Sequence, residues 1–170
     1  MIVAAMALAT VLAPHGDAKE RLLDPASIAG VYKTHFKNGL VSGETFTSEN
    51  VLEIVKLAPD AAYVRARLNF YNGHLCAIYG VAHVEERELV YRGPTETYPG
   101  ATQCVLHLAV KGKSLTLADG GTCWANCGAR GMFDNAAFPT ASRRPVRYMT
   151  RLKASREFAA AMTEEGRMRP

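Results

Sequence analysis

The chain has 170 residues, 48% of them hydrophobic and 21% charged, and a formal charge of +4 at pH 7 with histidine neutral. That balance is that of an ordinary globular protein, for which disorder is not the default, and the length suits a single domain. No apolar run reaches the roughly 20 residues that a membrane-spanning helix needs.

The first stretch, Met1 to Ala13 (MIVAAMALATVLA), is too short for a span and reads as the core of a signal peptide. Gly16 and Ala18 supply small residues at −3 and −1 of a cut after Ala18, so residues 1–18 are predicted as a signal peptide and 19–170 as one domain. A buried N-terminal helix is the alternative. Loss of Asp17, the one charged residue before Lys19, raises the charge to +5.

Strand signals fill most of the remaining chain. Val31 to Phe36, Val51 to Leu57, Ala62 to Phe70, Leu75 to Val84, Glu88 to Arg92, Gln103 to Val110, Leu115 to Ala118 and Val146 to Leu152 are short segments, most of them rich in β-branched or aromatic residues. Val64, Ala66, Leu68 and Phe70 alternate with Tyr63, Arg65, Arg67 and Asn69, the pattern of a strand with one buried face. Turn residues at Asn72-Gly73, Glu85-Glu86 and Lys111-Gly112-Lys113 join neighbours as hairpins. The expected fold is therefore all-β: a small antiparallel meander barrel of about eight strands, with a two-sheet sandwich as the competing solution. Asn72-Gly73 leaves one register open. A two-residue turn would put Leu75, Ala77, Tyr79 and Val81 on the face of Leu68, and a three-residue loop would put Cys76, Ile78, Gly80 and Ala82 there. Gly93 to Ala101 reads as a surface loop. At the C-terminus a helix is predicted, capped by Ser155, docked through Phe158, Ala161 and Met162, and ended by Gly166, with Arg167 to Pro170 as a tail.

Cys76, Cys104, Cys123 and Cys127 make an even count, which in an exported chain means two disulfides. The C-x3-C spacing of Cys123 and Cys127 would also serve zinc, but Cys76 and Cys104 form no second knuckle. Two pairings make geometric sense. The favoured one joins Cys76 to Cys104 and Cys123 to Cys127. The other joins Cys104 to Cys123 and Cys76 to Cys127, through a hairpin at Lys111 to Ser114 that sets Cys104 nearly opposite Gly121.

No nucleophile elbow, phosphate loop, dinucleotide fingerprint, zinc-protease motif or calcium loop is present, and no cofactor or metal is expected. His35, His74, His83 and His107 lie on or beside strands, apart from one another in sequence. Two stretches stand out as binding candidates. Cys123 to Phe133 (CWANCGARGMF) packs the only Trp, two cysteines and two glycines into a corner: either Trp124 plugs the core, with Gly128 and Gly131 taking positive φ, or Trp124, Asn126 and Arg130 form a contact surface. The second stretch is basic. Arg143, Arg144, Arg147, Arg151, Lys153 and Arg156 fall in fourteen residues with Tyr148 among them and no acid between. On the predicted strand Val146 to Leu152, Arg147 and Arg151 share one face and form a positive ridge, which is either a solvated surface or an anion-binding one.

The stretches Gly73-His74-Leu75-Cys76, Ile78-Tyr79-Gly80-Val81-Ala82, Gln103-Cys104-Val105-Leu106 and Cys123 to Gly131 resemble uncharacterised secreted or periplasmic proteins of Gram-negative bacteria. The resemblance implies export and disulfides and transfers no catalytic residue. A more distant architectural likeness is to periplasmic lysozyme inhibitors, although two basic surfaces would not steer together. The expected function is a periplasmic or secreted, non-catalytic binding or inhibitory module for an envelope protein or an anionic envelope component, with nucleic acid disfavoured outside the cytoplasm. A carrier of a small apolar ligand, needing a hollow barrel, and an envelope enzyme are the rivals.

Overall fold

A computed structural model describes residues 22–94 and 102–168. Residues 1–18, expected to be a signal peptide, most of the Gly93 to Ala101 loop and the last two residues lie outside the described residues. A single turn of helix, α1 (Pro25–Ile28), capped by the Asp24 carboxylate on Ala26 N–H, leads into the sheet. Eight strands come next in sequence order: β1 (Gly30–Gly39), β2 (Thr45–Ala58), β3 (Ala61–Asn69), β4 (Leu75–Glu85), β5 (Glu88–Arg92), β6 (Val105–Lys111), β7 (Ser114–Ala118) and β8 (Ala137–Pro139). Each pairs antiparallel with the next, so the meander read from the turn residues is the observed topology. Beyond β8 the chain returns to β1, where Val31 and Arg144 exchange both backbone hydrogen bonds (2.8 and 2.9 Å) and bring the sheet close to a closed barrel.

The barrel is filled rather than hollow. Leu52, Ile54, Val64, Leu106, Leu108 and Leu115 point inward with no exposed surface, and Phe133 and Phe138 complete the core from the far end of the chain. At Gly80 the backbone yields to an aromatic ring: a methyl there would stand 2.2 Å from the Tyr91 ring, which lies over the glycine. Burial pushes the Tyr91 hydroxyl up to about 12.

The turn after β3 resolves the open register. Phe70 N–H bonds to His74 O at 2.8 Å across a three-residue loop, with Asn72 (φ 59°) and Gly73 (φ 73°) both left-handed. Leu68 therefore pairs with Cys76, Ala66 with Ile78, Val64 with Gly80 and Ala62 with Ala82. Cys76 faces inward as a result, and this prepares its disulfide.

Three expectations need correction. The favoured cysteine pairing is wrong, since the bridges are Cys76–Cys127 and Cys104–Cys123. Gly93 N–H bonds to Cys104 O (2.8 Å), and the β4–β5 register sets Gly93 level with Gly80. Cys104 thus lies four residues along the strand direction from Cys76, about 13 Å at the usual rise, beyond disulfide reach. The hairpin at Lys111 and Ser114 does bring Cys104 to Cys123 as its register requires.

The eighth strand is also misplaced. Val146 to Leu152 is not β. Its second half belongs to α2 (Met149–Lys153), and the strand role falls to Ala137–Pro139. The segment alternates in hydrophobicity, but Tyr148, Met149 and Leu152 also repeat at helical spacing, and the helical reading buries them on the outside of the barrel against Val55 and Tyr63. The positive ridge at strand parity disappears with the strand.

Finally, Gly166 does not end the last helix, α3 (Arg156–Met168), which runs through it. The cap is as read: Ser155 Oγ accepts from Phe158 N–H at 3.2 Å. Phe158 packs on Tyr63 with ring centroids 4.9 Å apart, so Tyr63 is wholly buried although it points out of the barrel.

Gly80→Ala is expected to destabilise the fold by about 1–3 kcal/mol through overpacking, read by urea unfolding, and to cost less when introduced into a Tyr91→Ala background. Equal stability of Gly80→Ala and the parent would contradict the packing described.

Candidate functional site

Two surfaces carry the side chains singled out from sequence. The first is the corner after β7. Asp134 accepts the backbone N–H of Asp119 (2.8 Å) and Gly120 (3.1 Å), and Asp119 in turn accepts Cys123 N–H at 2.9 Å. The bond from Asp119 N–H, followed by that of Gly120, holds the Asp134 carboxyl below the usual carboxylate range. Its contribution is therefore complete above the unfolded value near 4 and is lost as pH falls through the lowered one.

From Cys123 a short turn, Trp124 to Asn126, carries Cys127 onto the start of β4, where Cys76 and Cys127 pair and Gly128 N–H bonds to Leu75 O at 2.8 Å. The bridges thus pin the turn on both flanks. Gly131 is needed for close approach rather than for positive φ, because a methyl there would sit 2.6 Å from Cys76 Sγ; neither it nor Gly128 has a positive φ. Trp124 does not plug the core. It is 60% exposed, and the buried place is taken by Phe133. Asn126 and Arg130 are exposed as well, as is Met132. Asn126 also borders a groove of about 230 Å³ between β4 and α3, lined by Tyr79, Tyr91, Arg92, Glu164 and Met168 among others.

The second surface is the basic segment, and it divides. Arg143 turns back to donate from Nη1 to Ser27 O beside Tyr32, so it braces the α1–β1 junction. Arg151 lies 5.1 Å from the centre of the Tyr148 ring, in cation–π range. The Tyr148 hydroxyl donates to Glu53 Oε1, and Arg65 Nε donates to Oε2 of the same carboxylate. Glu53 is 2% exposed, so this network is a polar staple between β2, β3 and the segment leading into α2. Burial, then the bond to Glu53, pushes the Tyr148 hydroxyl up to about 12.

Arg144 and Arg147 remain on the outside. With Lys33 they line a groove of about 480 Å³ between β1 and residues 142–148, whose other walls are Val31, Ser142, Pro145 and Tyr148. Sequence reasoning named Arg147 and Tyr148 for this surface but missed Lys33 and gave Arg144 no role of its own. The bridge between Val31 and Arg144 joins them, and nothing in the local pattern signals it.

His35, His83 and His107 face Glu49 (2.8 Å), Glu165 (3.1 Å) and Glu88 (2.9 Å) on the outer surface; His83 and His107 flank Val90 in register, and His35 stands apart on β1. Among the described residues no three His, Cys, Asp or Glu side chains gather as a metal site would require, and no helix is long and apolar enough to cross a membrane. No family model, curated protein or solved structure matches the chain.

Glu53→Ala removes the acceptor from Arg65 and Tyr148 together. The expected loss is about 2–3 kcal/mol in urea unfolding, toward the lower end for a buried pair because the Arg65 side chain is 33% exposed. A loss below about 0.5 kcal/mol, typical of a neutral surface change, would show that the staple does not hold the helices.

Proposed function

We propose that the protein is a non-catalytic binding or inhibitory module of the bacterial envelope, exported and oxidised there, that holds a partner protein through the corner around Trp124. One observation carries this reading: the only tryptophan is largely exposed on a turn that two disulfides immobilise. An exposed indole costs solvation free energy, and interface hot spots are rich in Trp and Arg; Arg130 lies six residues away in the chain. A turn already fixed in the free protein loses little further entropy on binding, which favours affinity.

Export is supported by the signal-like N-terminus and the two bridges, because disulfides persist in oxidising compartments. The kinship with secreted proteins of Gram-negative bacteria is part of the same proposal and rests on the cysteine and glycine pattern alone. The carrier reading has less support, since large apolar side chains fill the barrel and are buried there.

Affinity capture from periplasmic extract tests the proposal. The oxidised protein is expected to retain a discrete partner protein, and Trp124→Ala, with an unchanged melting curve, to weaken that capture about 30-fold or more, as loss of a hot spot of about 2 kcal/mol implies. Equal capture by both proteins, or none by the parent, would contradict it.

A further inference from the structure

We propose that the groove between β1 and residues 142–148 is a binding site for a phosphate monoester, either free or presented as a lipid headgroup. The site uses residues distinct from the Trp124 corner, so either proposal can fail while the other stands.

The groove's charge is one-sided. Lys33, Arg144 and Arg147 line it and no acidic side chain does. The acids nearest in the fold are already engaged. Glu49 holds Lys33 at 2.8 Å, a bond that keeps its carboxyl below the ordinary range, and Glu53 accepts from Arg65 and Tyr148. No Asp or Glu occurs from Asn135 to Arg156, so the chain entering and leaving the groove adds only positive charge.

The neutral side-chain donors of the groove are spoken for, which narrows the ligand. Ser142 Oγ donates to Pro139 O (2.8 Å), the Tyr148 hydroxyl to Glu53, and the N–H groups of Val31 and Arg144 to each other's carbonyls. Pro145 has no N–H. What remains for a ligand among the side chains is cationic: Arg147, which makes no ion pair among the described residues, and the part of the Arg144 guanidinium beyond Nη1, which itself donates to Ala141 O and Arg143 O. Guanidinium forks bind tetrahedral oxyanions by paired, charge-assisted hydrogen bonds, and a dianionic monoester gains more from them than a single carboxylate.

The Arg144 backbone is locked to β1 on both sides, so its side chain starts from a fixed point. A volume of about 480 Å³ is that of a small-molecule site rather than of a bare ion. Val31, Pro145 and the Tyr148 ring supply apolar wall for the organic body that carries the phosphate.

Calorimetric titration at low salt with glucose 1-phosphate, and sedimentation with phosphatidylcholine vesicles with and without phosphatidic acid, test the assignment. Binding is expected in at least one phosphate arm, with none to glucose or to plain vesicles. The arm that responds identifies the source. Arg144→Ala with Arg147→Ala is expected to weaken binding about tenfold or more and to flatten its salt dependence. Should that double variant melt early, Lys33→Met challenges the groove from the barrel side and is expected to weaken binding as well. Binding unaffected by these substitutions, equal binding of glucose, or no binding in either phosphate arm would overturn the proposal.

Discussion

The short turn between Cys123 and Cys127 is held from both sides, by Cys104 just before β6 and by Cys76 at the start of β4, and much of the molecule depends on that restraint. Seen from the sheet, it ties the 119–133 excursion across one end of the barrel and lets Phe133 enter the core. Seen from the surface, it holds Trp124 outward, where the side chain could otherwise collapse onto apolar neighbours. The bridges close loops with sequence separations of 51 and 19 residues. In the chain-entropy account such closures remove about 4 and about 3 kcal/mol of freedom from the unfolded chain. The longer loop spans β4 to β7, so the restraint acts on the meander and not only on the corner.

A second layer sits outside the barrel. Val55 and Tyr63 point away from the interior, yet both are buried, because α2, α3 and the chain before them cover that face with Leu152, Phe158 and Ala161. Glu53 anchors this cover through Tyr148. Covering one face with the C-terminal segment leads residues 142–148 along β1, and that path turns a run of arginines into the wall of a groove. The helical cover and the cationic groove are thus two results of one docking event.

The sequence made the meander legible because hairpin turns and alternating strands are local signals, and the register of β6 with β7 is set by Lys111 and Ser114 alone. The three-residue loop at Tyr71–Gly73 was one of two local options. The deciding factor is distant: Cys76 must face inward to meet Cys127. Val146 to Leu152 misled for a different reason. Its apolar residues satisfy a period of two and a helical period about equally, and the choice was made by an uncovered patch on β2 and β3 far away in sequence. The pairing of Cys76 needed the length of β5 and the position of Gly93 against Cys104, which are facts of register rather than of composition.

Of the candidate surfaces, Trp124 was legible as unusual but not as exposed, since an aromatic between two cysteines fits a plug as well as an anchor. The basic run was legible as charge, while its division among a brace at Arg143, a stacked Arg151 and a groove at Arg144 and Arg147 was not. Disulfide mapping tests the restraint on which these placements rest. Non-reducing tryptic digestion yields Leu68–Arg87, Gly93–Lys111 and Ser114–Arg130 as the cysteine peptides. The account predicts one mass containing all three, which cleavage after Trp124 separates into a Cys104–Cys123 pair and a Cys76–Cys127 pair. Leu68–Arg87 joined to Gly93–Lys111 alone, with Ser114–Arg130 bridged within itself, would contradict it, as would a Cys76–Cys123 pair or free thiols.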